Sequence, residues 1–151
     1  MTTWKVGGNT YANIASKPAK TAYQNEIVSP VTTNTTDNAT DYSAKVGLMY
    51  VSDYMYAAPQ DKWTLVGFNS YASKDYRAAT SVNWMYMGLY EWTISRTADY
   101  SDSAFLVYDA GYVNDNDVGD IAYGVRPVFN LSSSVNYASG SGTAADPILV
   151  N

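Results

Sequence analysis

The chain contains no cysteine and no histidine. The first absence removes disulfides, thiolate nucleophiles and zinc–thiolate sites together. The second removes the commonest general base and the commonest transition-metal ligand. Glutamate is scarce as well, Glu26 and Glu91 being the whole supply. Aspartates fall mostly in turn-like stretches, where such residues ordinarily hydrogen-bond the local backbone. A pair of carboxylates would suffice for acid-catalysed glycoside hydrolysis, yet no pair stands out on a rigid element. The expectation is a protein that is not an enzyme.

Charge is also sparse, at 15% of residues, and the net charge of -5 with a pI near 4.4 would repel a phosphate backbone. Lysine and arginine are scattered rather than clustered, so nucleic acid is not an expected partner. No apolar run approaches the roughly 20 residues needed to span a bilayer, and no basic-then-apolar signal stands at Met1. Either the chain is cytoplasmic or it starts after its signal or anchor; it is not expected to insert into a membrane itself.

What is present is neutral polarity. The 151 residues fit one domain, 1–151, and the surface is made by Ser, Thr, Asn and an unusual 15 Tyr. From Thr2 to Thr40 the chain is Thr- and Asn-rich, with strand signals at Trp4-Lys5-Val6 and Glu26-Ile27-Val28 and a loop at Thr32–Asn38. Asn34, Asn38 and Asn130 head Asn-x-Thr or Asn-x-Ser triplets, which arise readily by chance in such a composition. Val46, Leu48, Tyr50, Trp63, Leu65, Val66 and Phe68 are candidate core residues. Lys45–Val51 reads as a strand, with a helix over Asp41–Tyr50 as the alternative; Ser52-Asp53-Tyr54 and Ala57–Asp61 read as turn and loop. Ala72–Thr80 has the best remaining helix chemistry, so little helix is expected.

The clearest strand signals are Tyr90–Ser95, Ala104–Gly111 and Tyr123–Leu131, and Asp146–Val150 offers a last short strand after a Gly/Ser-rich surface loop. Trp84 and Trp92 are read as core. Glu91 and Arg126 are read as a partly buried pair tying two strands together. Asn114–Asp120 concentrates oxygen ligands as a calcium loop does, but counting from Asp115 the sixth position is Asp120 rather than Gly and the twelfth is Arg126 rather than Glu. A solvated turn and a loop cation site both stand as readings of it; no other cofactor is expected.

Tyr90-Glu91-Trp92-Thr93, Val107–Gly111 and Gly124-Val125-Arg126, in that order, resemble the closing pattern of the formylglycine-generating-enzyme branch of the C-type lectin fold. Gly47–Tyr54, Asn83–Tyr86 and Val125–Leu131 are similar to stretches in bacterial and phage surface domains that share this pattern. The resemblance covers 44–151, while 1–43 is divergent. It implies an α+β, C-type lectin-like fold with short twisted antiparallel strands, little helix and long irregular loops. It does not carry the oxidase activity of that branch, which depends on cysteine. Nor does it carry calcium-dependent sugar binding, because the Glu-Pro-Asn, Gln-Pro-Asp and Trp-Asn-Asp signatures are missing.

A variant of this fold displays the diversified loops of retroelement variable proteins, including phage receptor-binding proteins. The resemblance therefore implies an extracellular or surface-displayed chain, on a bacterial cell surface or a phage particle, that starts after its signal or anchor. Independently of that likeness, the stretch 83–123 has the chemistry of an adaptable binding surface: Tyr gives rigid aromatic faces at low ordering cost, and Ser, Asn and Asp give hydrogen bonds. The candidate ligand contacts are Tyr86, Tyr90, Tyr100, Ser101, Asp102, Tyr112, Asn114, Asn116 and Tyr123, facing a protein or carbohydrate, on a domain that is monomeric in isolation. The rival reading is a structural pilin- or adhesin-type module whose tyrosines pack in the core or at a self-interface, since Tyr is also a good strand residue.

Overall fold

The computed structural model describes residues 1–10, 18–31, 40–61, 80–119 and 122–151. Those residues form a mixed α+β structure, mostly strand with two short α-helices. The expected helix over Ala72–Thr80, the loop at Thr32–Asn38 and the core candidates Trp63, Leu65, Val66 and Phe68 lie wholly or almost wholly outside the described residues.

Strand β1 (Thr2–Lys5) pairs antiparallel with β3 (Asp41–Ala44), which sets Lys5 Nζ 2.6 Å from Asp41 Oδ1. Between them come β2 (Gly8–Asn9) and helix α1 (Pro18–Tyr23), which runs directly into a π-helical turn, Gln24–Val28. Proline suits the first helical position, where its missing N–H would have no partner anyway. Strand β4 (Gly47–Leu48) precedes helix α2 (Val51–Tyr56). The central strands are β5 (Glu91–Thr97), β6 (Ser103–Val107) and β7 (Val113–Asp117), joined as an antiparallel meander. Strands β8 (Gly124–Val125) and β9 (Pro127–Val128) follow; β9 pairs with β4. Last, β10 (Tyr137–Ser139) and β11 (Leu149–Val150) form a separate antiparallel ribbon.

Three segments complete the edge of β5 opposite β6. Strand β8 runs parallel to it at Glu91 and Trp92, the Ile94 N–H donates to Met49 O at 2.9 Å, and β2 runs parallel at Arg96 and Thr97. On the other side, Trp92 opposes Leu106 and Arg96 opposes Ala104, so four steps along β5 match two along β6. The surplus forms a bulge. Thr93 fills the gap in the ladder with its side chain: Oγ1 donates to Phe105 O at 2.8 Å and accepts from the Ser95 N–H at 3.2 Å.

The inward face of β5 is polar, with Glu91, Thr93, Ser95 and Thr97 all buried. Buried polar groups need partners, and each of these has one. Besides Thr93, Glu91 is paired with Arg126, Ser95 Oγ reaches Glu26 Oε1 at 2.5 Å, and Thr97 Oγ1 contacts Tyr100 O at 2.8 Å. The apolar core lies beside this face. It consists of Ala19 and Ala22 of α1, Met49, Val51, Tyr54 and Met55, and Phe105, Val107 and Val113 of the sheet. Two alanines one helical turn apart let α1 lie close against its neighbours.

Several expectations are corrected. Glu26-Ile27-Val28 is not a strand but part of the π-helical turn, because the Glu26 side chain is drawn inward to cap another helix. Ser52-Asp53-Tyr54 is not a turn but the middle of α2. Asp53, within the helix, accepts from Tyr50 N at 2.9 Å, and distant chain satisfies the next two N–H groups: Ser95 Oγ accepts from Val51 N at 3.1 Å and Glu26 Oε2 from Ser52 N at 3.1 Å. Asp41–Ala44 is strand rather than helix, and within Lys45–Val51 only Gly47 and Leu48 are strand. Val46 is exposed, not core. Gly47 has a packing reason to be small: a Cβ there would stand 2.7 Å from Cδ2 of the Trp4 indole.

Candidate functional site

In a meander, β5 and β7 begin at the end of the sheet where β6 finishes, and β8 begins there too because it runs parallel to β5. Tyr90 immediately precedes β5, Tyr108 follows β6, Tyr112 precedes β7 and Tyr123 precedes β8. The topology therefore gathers four tyrosines, separated by up to 33 positions in the chain, at one end of the sheet.

Their rings are in contact. Tyr90 stacks on Tyr123 with centroids 5.0 Å apart and planes 13° from parallel, and tilts against Tyr108 at 5.0 Å. Tyr108 stacks on Tyr112 at 4.4 Å, and Trp92 adjoins Tyr123 at 5.3 Å. The result is one continuous row, Trp92–Tyr123–Tyr90–Tyr108–Tyr112. These spacings suit offset and tilted aromatic pairs. Asn114 and Asn116, alternate residues of β7 and so on one face of it, reach the phenols: Asn114 Nδ2 is 3.4 Å from Tyr108 OH, and Asn116 Nδ2 is 3.3 Å from Tyr123 OH. Trp92, Tyr90, Tyr108 and Tyr123 are half-buried, each packed on a neighbouring ring.

Of the sequence-predicted contacts, Tyr90, Asn114, Asn116 and Tyr123 come together here. Tyr112 also belongs to the row, but it is 2% exposed and supports the other rings instead of offering a surface, which corrects its reading as a ligand contact. Tyr86 lies at the same end of the sheet, its hydroxyl donating to Asp109 O at 2.5 Å across the β6–β7 turn, and it packs on the core. Tyr100, Ser101 and Asp102 sit in the β5–β6 turn, at the opposite end of a seven-residue strand, which puts them about 20 Å away. They are exposed, Tyr100 by 55%, but they form no single surface with the row. Tyr108 and Trp92 were not among the predicted contacts. Tyr108 lies inside the beat Ala104–Gly111 as read from the sequence; it is the end of β6 at Val107 and the register Glu91↔Val107 that set it beside Tyr90.

Of the oxygen-rich run Asn114–Asp120, Asn114–Asp117 is extended strand, Val118 and Gly119 form a turn, and Asp120 lies outside the described residues. Alternation sends Asp115 and Asp117 to the face opposite Asn114 and Asn116; Asp117 Oδ1 accepts the Gly119 N–H at 2.7 Å. Among the described residues no three carboxylates gather as a metal site would require. Behind the row, Arg126 makes a two-pronged contact with Glu91, Nε to Oε1 at 3.0 Å and Nη2 to Oε2, while Nη2 also donates to Met85 O at 2.9 Å. This is the expected strand-tying pair, and it also holds the 83–86 turn against the sheet.

The most perturbed carboxyl group lies elsewhere. Glu26 is fully buried, and that burial raises its pKa to about 7, opposed by hydrogen bonds from Ser52 and Ser95. Asn9 Nδ2 donates to its Oε1 at 2.8 Å. A group with no accessible surface cannot meet a substrate, so its role is internal: it caps α2 and ties β2 and β5 to it. Comparison with protein-family models, with curated proteins and with solved structures gives no match for this chain.

Proposed function

We propose that this protein is a non-enzymatic ligand-binding module of C-type lectin-like fold, displayed on a bacterial cell surface or a phage particle. It recognises a protein or carbohydrate through the loops at the tyrosine end of its central sheet. The observation that carries the reading is the continuous aromatic row with Asn114 and Asn116 alongside. Rings already packed on one another lose little freedom when a ligand covers their outer edges, and the flanking amides adapt to its polar groups. The likeness to retroelement variable proteins assigns positions in and beside the ends of the final strands as the diversified part.

The burial of Tyr112 and the ring-on-ring packing favour the second reading, a structural module whose tyrosines stabilise the sheet or a self-interface. One comparison separates the two. Sequencing the coding region across natural populations is expected to show substitutions concentrated at Tyr90, Tyr108, Asn114, Asn116 and Tyr123, with Glu91, Arg126 and Tyr112 constant. Variation spread evenly along the chain, or an invariant row, would overturn the diversified-binder reading and leave the structural one.

A further inference from the structure

A second surface lies on the other side of the 83–86 turn. Trp84 is 80% exposed, although the sequence reading makes it core. Its backbone is held on both sides. Buried Asn83 donates from Nδ2 to Tyr54 O at 2.8 Å and accepts from Met85 N at 3.0 Å; Trp84 N reaches Ala57 O at 3.4 Å, and Arg126 grips Met85 O. An indole left in water on so constrained a turn is displayed, not merely unpacked. It borders a groove of about 470 Å³ whose floor and walls include Trp4, Met49, Tyr56, Met85 and Val128. That volume lies within the range of small-ligand sites.

The polar groups of the groove are few and of one kind. Asp53 and Asn130 line it, and among the described lining residues there is no Lys or Arg. The neighbouring guanidinium of Arg126 is already matched by Glu91. One oxygen of Asp53 accepts the Tyr50 N–H; burial raises its carboxyl above the ordinary value, and that single N–H opposes the rise. An exposed indole, a half-exposed phenol at Tyr56 and the exposed Asp53 carboxylate are the groups that an incoming polar ligand meets in this otherwise apolar groove. Aromatic faces attract a cation through their quadrupoles, Trp most strongly, and quaternary ammonium groups are held in this way. A neutral apolar ligand would cover the Asp53 carboxylate without compensating its charge, and an anion would face it directly.

We infer that the groove between α2, the 83–86 turn and β9 binds an alkylated ammonium group, with Trp84 and Tyr56 against its methyl groups and Asp53 supplying the counter-charge. The site shares no residue with the tyrosine row and stands or falls separately from the function proposed for it.

The test is titration of the intact protein with choline and tetramethylammonium chloride, following the Trp84 indole N–H by NMR. The same titration is run with 3,3-dimethylbutan-1-ol, the uncharged carbon counterpart of choline, and with glucose. Saturable shifts with both cations are expected, with roughly tenfold weaker response to the neutral alcohol and a comparable loss in Trp84→Leu and in Asp53→Asn. Trp84→Leu keeps apolar area but not the ring face, and asparagine keeps an oxygen to accept Tyr50 N–H, so both variants should melt with the parent. Trp84→Phe should retain part of the affinity. Equal binding of the neutral alcohol, preference for glucose, or no saturable shift with either cation would overturn the inference.

Discussion

Glu26 accepts from Asn9, Ser95 and Ser52 in full burial, with its pKa raised to about 7 from 4.5. An acid whose pKa is higher in the folded than in the unfolded chain holds its proton more tightly when folded. Its contribution is therefore complete below pH 4.5 and disappears as pH rises through about 7, a change of about 3 kcal/mol. Urea unfolding at pH 5 and pH 8 should show the protein more stable at the lower value. Glu26→Gln should flatten that difference, though at an acidic-side cost where an amide N–H meets Ser52 N–H. Gly111 gives a second single-residue prediction. Its φ of +87° suits glycine, and a Cβ would stand 2.2 Å from Thr80 Cγ2. Gly111→Ala should cost about 2 kcal/mol or more in a denaturation curve. At this scale the sequence is readable where chemistry is local. Glu91 and Arg126 could be matched from their strand settings, whereas Glu26 in an apolar-flanked triplet looks like strand because its three partners stand 17, 26 and 69 positions away.

Strand β5 shows why an element can be located correctly and still be misread. Its beat marks a strand, and the strand is there, but the face it turns to the interior is the one carrying Glu, Thr, Ser and Thr, not the one carrying Trp92 and Ile94. No alternation rule anticipates that, since the satisfying groups come from Phe105, Glu26, Tyr100 and Arg126. Thr93→Val keeps the shape and loses both hydrogen bonds of the bulge; a loss of about 1–3 kcal/mol in chemical denaturation is expected. Arg126→Ala should be worse, about 3–5 kcal/mol, because it leaves the buried Glu91 carboxylate without its counter-charge. The double variant Arg126→Met with Glu91→Gln should recover part of that loss, a coupling that a four-member cycle of unfolding curves measures directly. Helix α2 illustrates the reverse error. It has no capping signature of its own beyond Asp53, and six residues are too few to form a helix unaided. Its caps arrive from Glu26 and Ser95, so it reads as a turn until the fold is assembled.

For the whole molecule, the beats at Tyr90–Ser95 and Ala104–Val107 are legible because each is local, whereas β7 reads as a turn and Tyr123–Leu131 divides into β8 and β9 with different partners. The meander and the parallel β8 together then place Tyr90, Tyr108, Tyr112 and Tyr123 at one end. The separation of Tyr100, Ser101 and Asp102 from that end follows from the same topology, and composition alone cannot express it. On the binding reading, Tyr123→Ala should leave the melting temperature within a few degrees and abolish ligand capture; a large drop in melting temperature instead would identify the row as structural. The edge of β5 has a further, kinetic consequence. It is closed by residues near positions 8, 49 and 125, none of them sequence neighbours of the strand. Each closure orders a long stretch of chain before its hydrogen bonds form, so folding should be slow for a chain of this size. Until the amino-terminal pair Gly8–Asn9 docks, Arg96 and Thr97 present open ladder groups to any other chain in solution. Trimming the first nine residues should therefore appear first as concentration-dependent aggregation during refolding, visible by light scattering.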